Sequence, residues 1–200
     1  IMYQGADGTS FPTIAGSGAN GTMLHYETNR DICEDGTLLL MDLGAKYQGY
    51  CADITRTYPV NGHFTQQQRA VYEVVLEANR TIAKTARPGM TLRELNDVCK
   101  KVLAEGMMAI GKIQSAEEIG RYYMHGVSHH LGLDTHDCAV HEDLGLRAGM
   151  VISDEPGLYI DEEEIGIRIE DDLLITDAGC RVLSEAIPRT TEEIEALMAR

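Results

Sequence analysis

The run Leu38 to Pro59, LLLMDLGAKYQGYCADITRTYP, sets an aspartate on each side of a short polar turn, with apolar or β-branched residues around both. Such a pattern reads as two strands joined at Tyr47-Gln48-Gly49. With Tyr47-Gln48 as the loop, Lys46 faces Gly49, and counting outward sets Asp42 directly opposite Asp53. Opposed residues of antiparallel strands share a face, with Cβ atoms about 5 Å apart. Two carboxylates that close repel, so the pairing calls for a positive charge between them, most simply a metal ion. A slip of one residue would send them to opposite faces. Taken alone, a hairpin with two aspartates reads more simply as a turn cap and a solvated side chain. The downstream sequence favours the metal.

The 200 residues suit one domain, or one with two similar halves, and are enough to bury a sizeable core. A formal charge of −15 repels phosphate backbones and anionic lipid, so neither nucleic acid nor a membrane surface is an expected partner, while cation binding stays open. No basic-then-apolar leader and no apolar run of about eighteen residues is present, so neither a signal peptide nor a membrane span is expected. Cys33, Cys51, Cys99, Cys138 and Cys180 are odd in number, scattered and without CxxC spacing, as expected of reduced thiols in the cytoplasm. The chain begins at Ile1, and IMYQGADGTSFPT reads as an edge or loop, as expected of a fragment or processed chain.

Before the hairpin, turn signals at Gly16-Ser17-Gly18 and Asn20-Gly21 lead into a short expected strand, MLHY, that holds His25. After it, Thr65 with Gln68 and Thr91 with Glu94 form capping boxes that open two helices. The first repeats Val71, Val74, Val75, Ala78, Ile82 and Ala86 at helical spacing, with a solvated face of Arg69, Glu73, Glu77 and Arg80. The second carries Leu92, Leu95, Val98, Val102 and Leu103 and ends near Gly106. Four histidines then fall within MHGVSHHLGLDTHD, at 125, 129, 130 and 136, a clustering that core packing does not explain. His125 and His129 make HxxxH without the glutamate of a zincin, and Gly-Val-Ser-His-His does not match GxSxG, so neither a zincin nor a serine hydrolase is favoured. Residues 150–160 and 165–175 read as two further strands around an acidic loop, and they contain Glu155 and Glu170. A glutamate in an apolar strand needs a partner, either a salt bridge such as one to Arg168 or a cation. The end, TTEEIEALMAR, reads as an amphipathic surface helix.

Two aspartates, two glutamates and an imidazole form a hard, oxygen-rich donor set, which suits Mn²⁺, Co²⁺, Fe²⁺ or Zn²⁺ and balances two divalent ions. DLGAKYQGYCADITRTYPVNG, HGVSHHLGLDTHD, EPGLYI and GIRIEDD, in that order, resemble the metallopeptidases of pita-bread fold, nearest to the Xaa-Pro aminopeptidases. The resemblance implies an α+β pita-bread fold, with two pseudo-symmetric helix-and-hairpin halves around a curved, mainly antiparallel sheet. It implies that residues 1–200 are a catalytic domain lacking the family's N-terminal domain, and that a homo-oligomer is possible. By this likeness Asp42, Asp53, His129, Glu155 and Glu170 hold two divalent ions, Mn²⁺ foremost. A hydroxide between them attacks the bond preceding a proline in second position, Glu155 shuttles the proton, and His136 steadies the oxyanion. His125 and His25 take the proline side, and Arg168 orients the carboxylates. A prolidase restricted to dipeptides shares these ligands, a methionine aminopeptidase matches the motifs less well, and a metal-free binding module would have lost the ligands.

Overall fold

A computed structural model describes residues 1–139 and 144–199. Strands β1 (Gly8–Thr9) and β2 (Ile14–Ser17) come first, followed by a 3₁₀ turn over Gly18–Thr22. His25 lies beyond that turn in irregular chain, so the expected MLHY strand does not form. In the nearest sheet, β3 (Leu38–Leu43) lies between β2 and β6 (Ile54–Pro59).

Between β3 and β6 lie β4 (Ala45–Tyr47) and β5 (Tyr50–Cys51), joined by a two-residue turn at Gln48 and Gly49 with φ of 51° and 87°. Positive φ at both positions is the primed turn that suits strand twist. The turn therefore sits one residue later than Tyr47-Gln48, and the register moves with it: Asp42 faces Thr55 rather than Asp53. The correction is by two partner positions, so parity is kept and both aspartates remain on one face, where both are buried. At the bend between β3 and β4, a Cβ on Gly44 would lie 1.7 Å from the Ala52 carbonyl oxygen, so only glycine fits.

Both capping boxes form, at the starts of α1 (Gln66–Thr85) and α2 (Leu92–Ala109). Helix α2 runs past Gly106, because that glycine is a packing position: a Cβ there would lie 2.5 Å from Val74 of α1. Val71, Val75, Ala78 and Ile82 of α1 join Leu95, Leu103 and Met107 of α2 in the main core.

The second half holds β7 (Val151–Asp154), β8 (Gly157–Ile160), β9 (Ile165–Arg168), β10 (Asp171–Thr176) and β11 (Gly179–Val182). The two long strands expected here are each interrupted, at Glu155-Pro156 and at Ile169-Glu170. β7 pairs with β10 in one sheet and β8 with β9 in another. Proline has no N–H for a ladder, which accounts for one break. Both pairs keep a single register, with Asp154 facing Asp171 and Gly157 facing Arg168, so Glu155 falls directly opposite Glu170 at the split. The face-to-face carboxylates expected of the first hairpin occur in the second.

Helix α3 (Thr191–Met198) is less superficial than its charge implies. Ile194 is fully buried, and Arg69 of α1 pairs with Glu192 and Glu195, so the polar face of α1 is partly covered rather than solvated. Among the described residues, no helix is long and apolar enough to cross a membrane.

Candidate metal centre

A cavity of about 450 Å³ is lined by Asp42, Asp53, His129, Glu155 and Glu170, with His25, His125, His136 and Arg168 on its walls. The five expected ligands and the four expected substrate-side residues thus reach one space, while His130, the fourth histidine of the cluster, lines neighbouring cavities instead. The two hairpins deliver the four carboxylates, and the irregular stretch between α2 and β7 delivers His125, His129 and His136.

Hydrogen bonds made by the backbone and by short side chains fix each group. The N–H of Glu170 donates to the Thr55 carbonyl at 3.0 Å, and the Thr55 hydroxyl donates to Glu170 Oε2 at 2.6 Å. The N–H of Glu155 donates to the Val127 carbonyl at 2.9 Å, tying the glutamate to the histidine-bearing stretch. Ser153 links the same partners, since its Oγ accepts from the His129 N–H at 2.9 Å and donates to Glu155 Oε1 at 3.2 Å. Nδ1 of His129 lies 3.0 Å from the His130 carbonyl and must donate there. Its Nε2 is left facing the carboxylates, 3.4 Å from both Asp53 Oδ2 and Glu155 Oε1. This is the orientation that metal-ligating histidines take from an outer partner.

Arg168 braces the opposite side. It donates to Asp42 Oδ2 at 2.7 Å, to Thr55 Oγ1 at 3.1 Å and to the Tyr159 hydroxyl at 3.0 Å. A guanidinium can only donate, so the Tyr159 oxygen accepts from it and spends its single proton on His125 Nε2, 2.8 Å away. His125 must then carry its proton on Nδ1, which donates to the Gly126 carbonyl at 2.8 Å. Both ring nitrogens are engaged, and His125 offers the cleft a neutral ring. His136 packs edge-on against His129, with ring centroids 4.5 Å apart.

The electrostatics are those of crowded, buried anions. Burial pushes Glu170 well above the ordinary carboxylate range, and Glu155 and Asp53 push it further. Glu155 rises to about 7, chiefly through burial and against the pull of His129. Asp42 rises to about 6 through burial, with Arg168 opposing and Asp53 reinforcing. Burial alone would strip the proton from His129, yet the hydrogen bond to Asp53 and the charge of Glu155 carry it up to about 9. Burial lowers His125 to about 4 and also lowers His136.

A divalent cation fits these residues. Oδ1 of Asp42 is buried without a hydrogen-bond partner, and ligand atoms of Asp53, His129 and Glu170 lie within 4.8 Å of one another. The donors are oxygens with one imidazole nitrogen, a set for Mn²⁺, Co²⁺, Fe²⁺ or Zn²⁺.

Sequence reasoning passed over Thr55, Ser153, Tyr159 and Asp172. The first two are small hydroxyls whose role exists only through contacts across strands. Asp172 is buried and accepts the Asp53 N–H at 3.4 Å, and burial raises it to about 7. The acidic run Glu170-Asp171-Asp172 was its one visible signal.

Fold and cleft together define a class: mixed helices and antiparallel sheets around a pocket of inward-facing carboxylates and one imidazole. The chain belongs to metallopeptidase family M24, whose model matches residues 1–177. It is 43% identical to the Xaa-Pro aminopeptidase of Escherichia coli over 213 residues, which cover 98% of this chain and 48% of that protein. It is 38% identical over 204 residues to the mitochondrial intermediate cleaving peptidase 55 of Arabidopsis thaliana, covering 98% of this chain and 41% of that one. The low-pH form of aminopeptidase P from E. coli matches its fold with a TM-score of 0.94 at 42% identity, over 99% of this chain and 49% of that structure. The chain spans about half the length of these relatives.

Proposed function

We propose that this chain is the catalytic unit of an Xaa-Pro aminopeptidase, a hydrolase that removes the residue preceding a proline from a peptide's free N-terminus. The observation that carries the reading is the opposed pair of half-buried Glu155 and buried Glu170, with Asp42, Asp53 and His129 around the same cavity. These five side chains would hold two divalent ions, Mn²⁺ foremost, with Co²⁺, Zn²⁺ or Fe²⁺ as alternatives. Bound there, the pair supplies Lewis acidity and an ionised water at neutral pH.

The rest falls to the chain itself. Glu155, fixed by Ser153 and facing His129 Nε2, is placed to accept a proton from the attacking water and return it to the leaving prolyl nitrogen. His136 stands at the cleft beside His129, placed to donate a hydrogen bond to the developing oxyanion. The neutral ring of His125, with His25 on the wall, suits the proline side, where the substrate has no N–H to offer and its φ is fixed. Arg168 keeps Asp42 aimed inward and supports Glu170 through Thr55. All five cysteines are free, which supports a reducing, cytoplasmic setting.

The test is to load the full chain with Mn²⁺ and offer an Xaa-Pro-Xaa tripeptide, an Xaa-Pro dipeptide and an Xaa-Ala-Xaa tripeptide. Release of the first residue from the Xaa-Pro-Xaa tripeptide is expected, with the alanine peptide left intact. Cleavage of the dipeptide alone would reassign the chain as a prolidase. Failure to take up Mn²⁺ would leave a binding module.

A further inference from the structure

Each of the three segments that shape the carboxylate cleft sends its next residue to the opposite side, where these residues meet. Thr55 is followed by Arg56, Glu170 by Asp171, and Glu155 is preceded by Asp154. Arg56 and Asp171 have side chains 2% and 0% exposed and pair at 2.7 Å. Arg56 also grips backbone: Nη1 donates to the Thr55 carbonyl at 2.8 Å and to the Glu170 carbonyl at 2.6 Å, and Nε donates to the Pro188 carbonyl at 3.0 Å. The Glu170 peptide is therefore clamped on both sides, its N–H by the Thr55 carbonyl and its C=O by Arg56.

Asp171 collects the remaining donors. Arg189 reaches its Oδ2 at 3.1 Å, Ser184 donates to its Oδ1, and the Asn79 amide of α1 lies 3.2 Å from both Asp171 Oδ2 and Asp154 Oδ2. Two of these partners, Arg189 and Ser184, come from the segment between β11 and α3, whose carbonyls at Ile187 and Pro188 also cap Arg56.

The geometry points to Arg56, Asp171 and Arg189 as positioning residues that preset Glu155 and Glu170 to receive metal, so that affinity at the cleft depends on the segment from Ser184 to Arg189. This rests on the metal-centre reading above. A buried ion pair that only held the fold together would alter stability without altering the affinity of folded protein. A brace for the ligands alters affinity itself, as outer partners of metal ligands do.

The experiment compares the parent chain with Arg189→Gln, whose side chain is 16% exposed and the least buried of the cluster's charges. Mn²⁺ affinity is read by titration calorimetry on protein shown to be folded by circular dichroism, and metal-free stability by urea unfolding. Arg189→Gln is expected to weaken Mn²⁺ binding by about tenfold or more. Should that variant not fold, Ser184→Ala removes one donor to the same carboxylate and carries the comparison, with a smaller loss expected. Parent and variant affinities equal within about twofold, with only the urea midpoint lowered, would overturn the inference alone. A parent chain that takes up no Mn²⁺ overturns it together with the metal reading.

Discussion

Glu155 and Glu170 stand opposite each other at the split between the two strand pairs, where burial disfavours their charge and costs the metal-free protein stability. Glu155 at about 7 and Asp42 at about 6 bind protons more tightly in the folded chain than in the unfolded one. Stability contributed by a proton held in this way is present at low pH and is lost as pH rises from about 4 through those values. His129 acts in the same direction: its raised value of about 9 contributes stability fully present below its unfolded value and lost as pH climbs through 9. His125, lowered to about 4, acts the opposite way up to its unfolded value, but the three raised groups outnumber it, so in EDTA the thermal midpoint is expected to fall between pH 5 and pH 8. In excess Mn²⁺ the trend should reverse, since the ligands must be deprotonated to bind. A metal-free midpoint that climbed over this range would contradict the crowding. Asp53→Asn removes one charge from the crowd, and Glu170→Gln keeps neutral a group that burial and its neighbours already hold well above the ordinary carboxylate range. Both should leave the metal-free chain folded while reducing peptide hydrolysis to background, and full activity in either would refute its assignment as a ligand.

Elements differ in how far they can be read locally. The capping boxes of α1 and α2 were legible because a cap is satisfied within four residues, whatever the rest of the chain does. Thr65→Ala should cost about 1 kcal/mol in urea unfolding and leave Mn²⁺ affinity unchanged. The first hairpin was legible as a hairpin but not in register, since the choice between Tyr47-Gln48 and Gln48-Gly49 rests on which residues accept positive φ. Gly44 was silent in the sequence, yet β3 and β4 meet there so closely that a methyl group would collide with the backbone of Ala52. Gly44→Ala should destabilise the chain by more than the lost cap does. Because it displaces the strand ends bearing Asp42 and Asp53, it should also weaken Mn²⁺ binding, which the cap variant does not.

Across the whole molecule, the cleft brings together positions as distant in sequence as Asp42 and Glu170, so holding them is a task of the entire fold rather than of one motif. Saturating Mn²⁺ should accordingly raise the unfolding midpoint of the complete chain, in step with metal concentration, because only the folded state assembles the ligands. Stability that did not respond to metal would place the ions elsewhere or nowhere.

From its sequence alone this protein is fixed in composition, in its helices and their caps, in the parity that keeps Asp42 and Asp53 on one face, and in the order of motifs by which its family is recognised. These depend on residue type and on neighbours a few positions away. Only the tertiary structure decided that the register sets Glu155 opposite Glu170, that Arg168 orients His125 through Tyr159, that α3 covers part of α1, and that Arg56 and Asp171 clamp the far side of the cleft. Each of these is a contact between segments far apart along the chain. Burial and pairing across that distance are set by the packed whole, and no local preference encodes them.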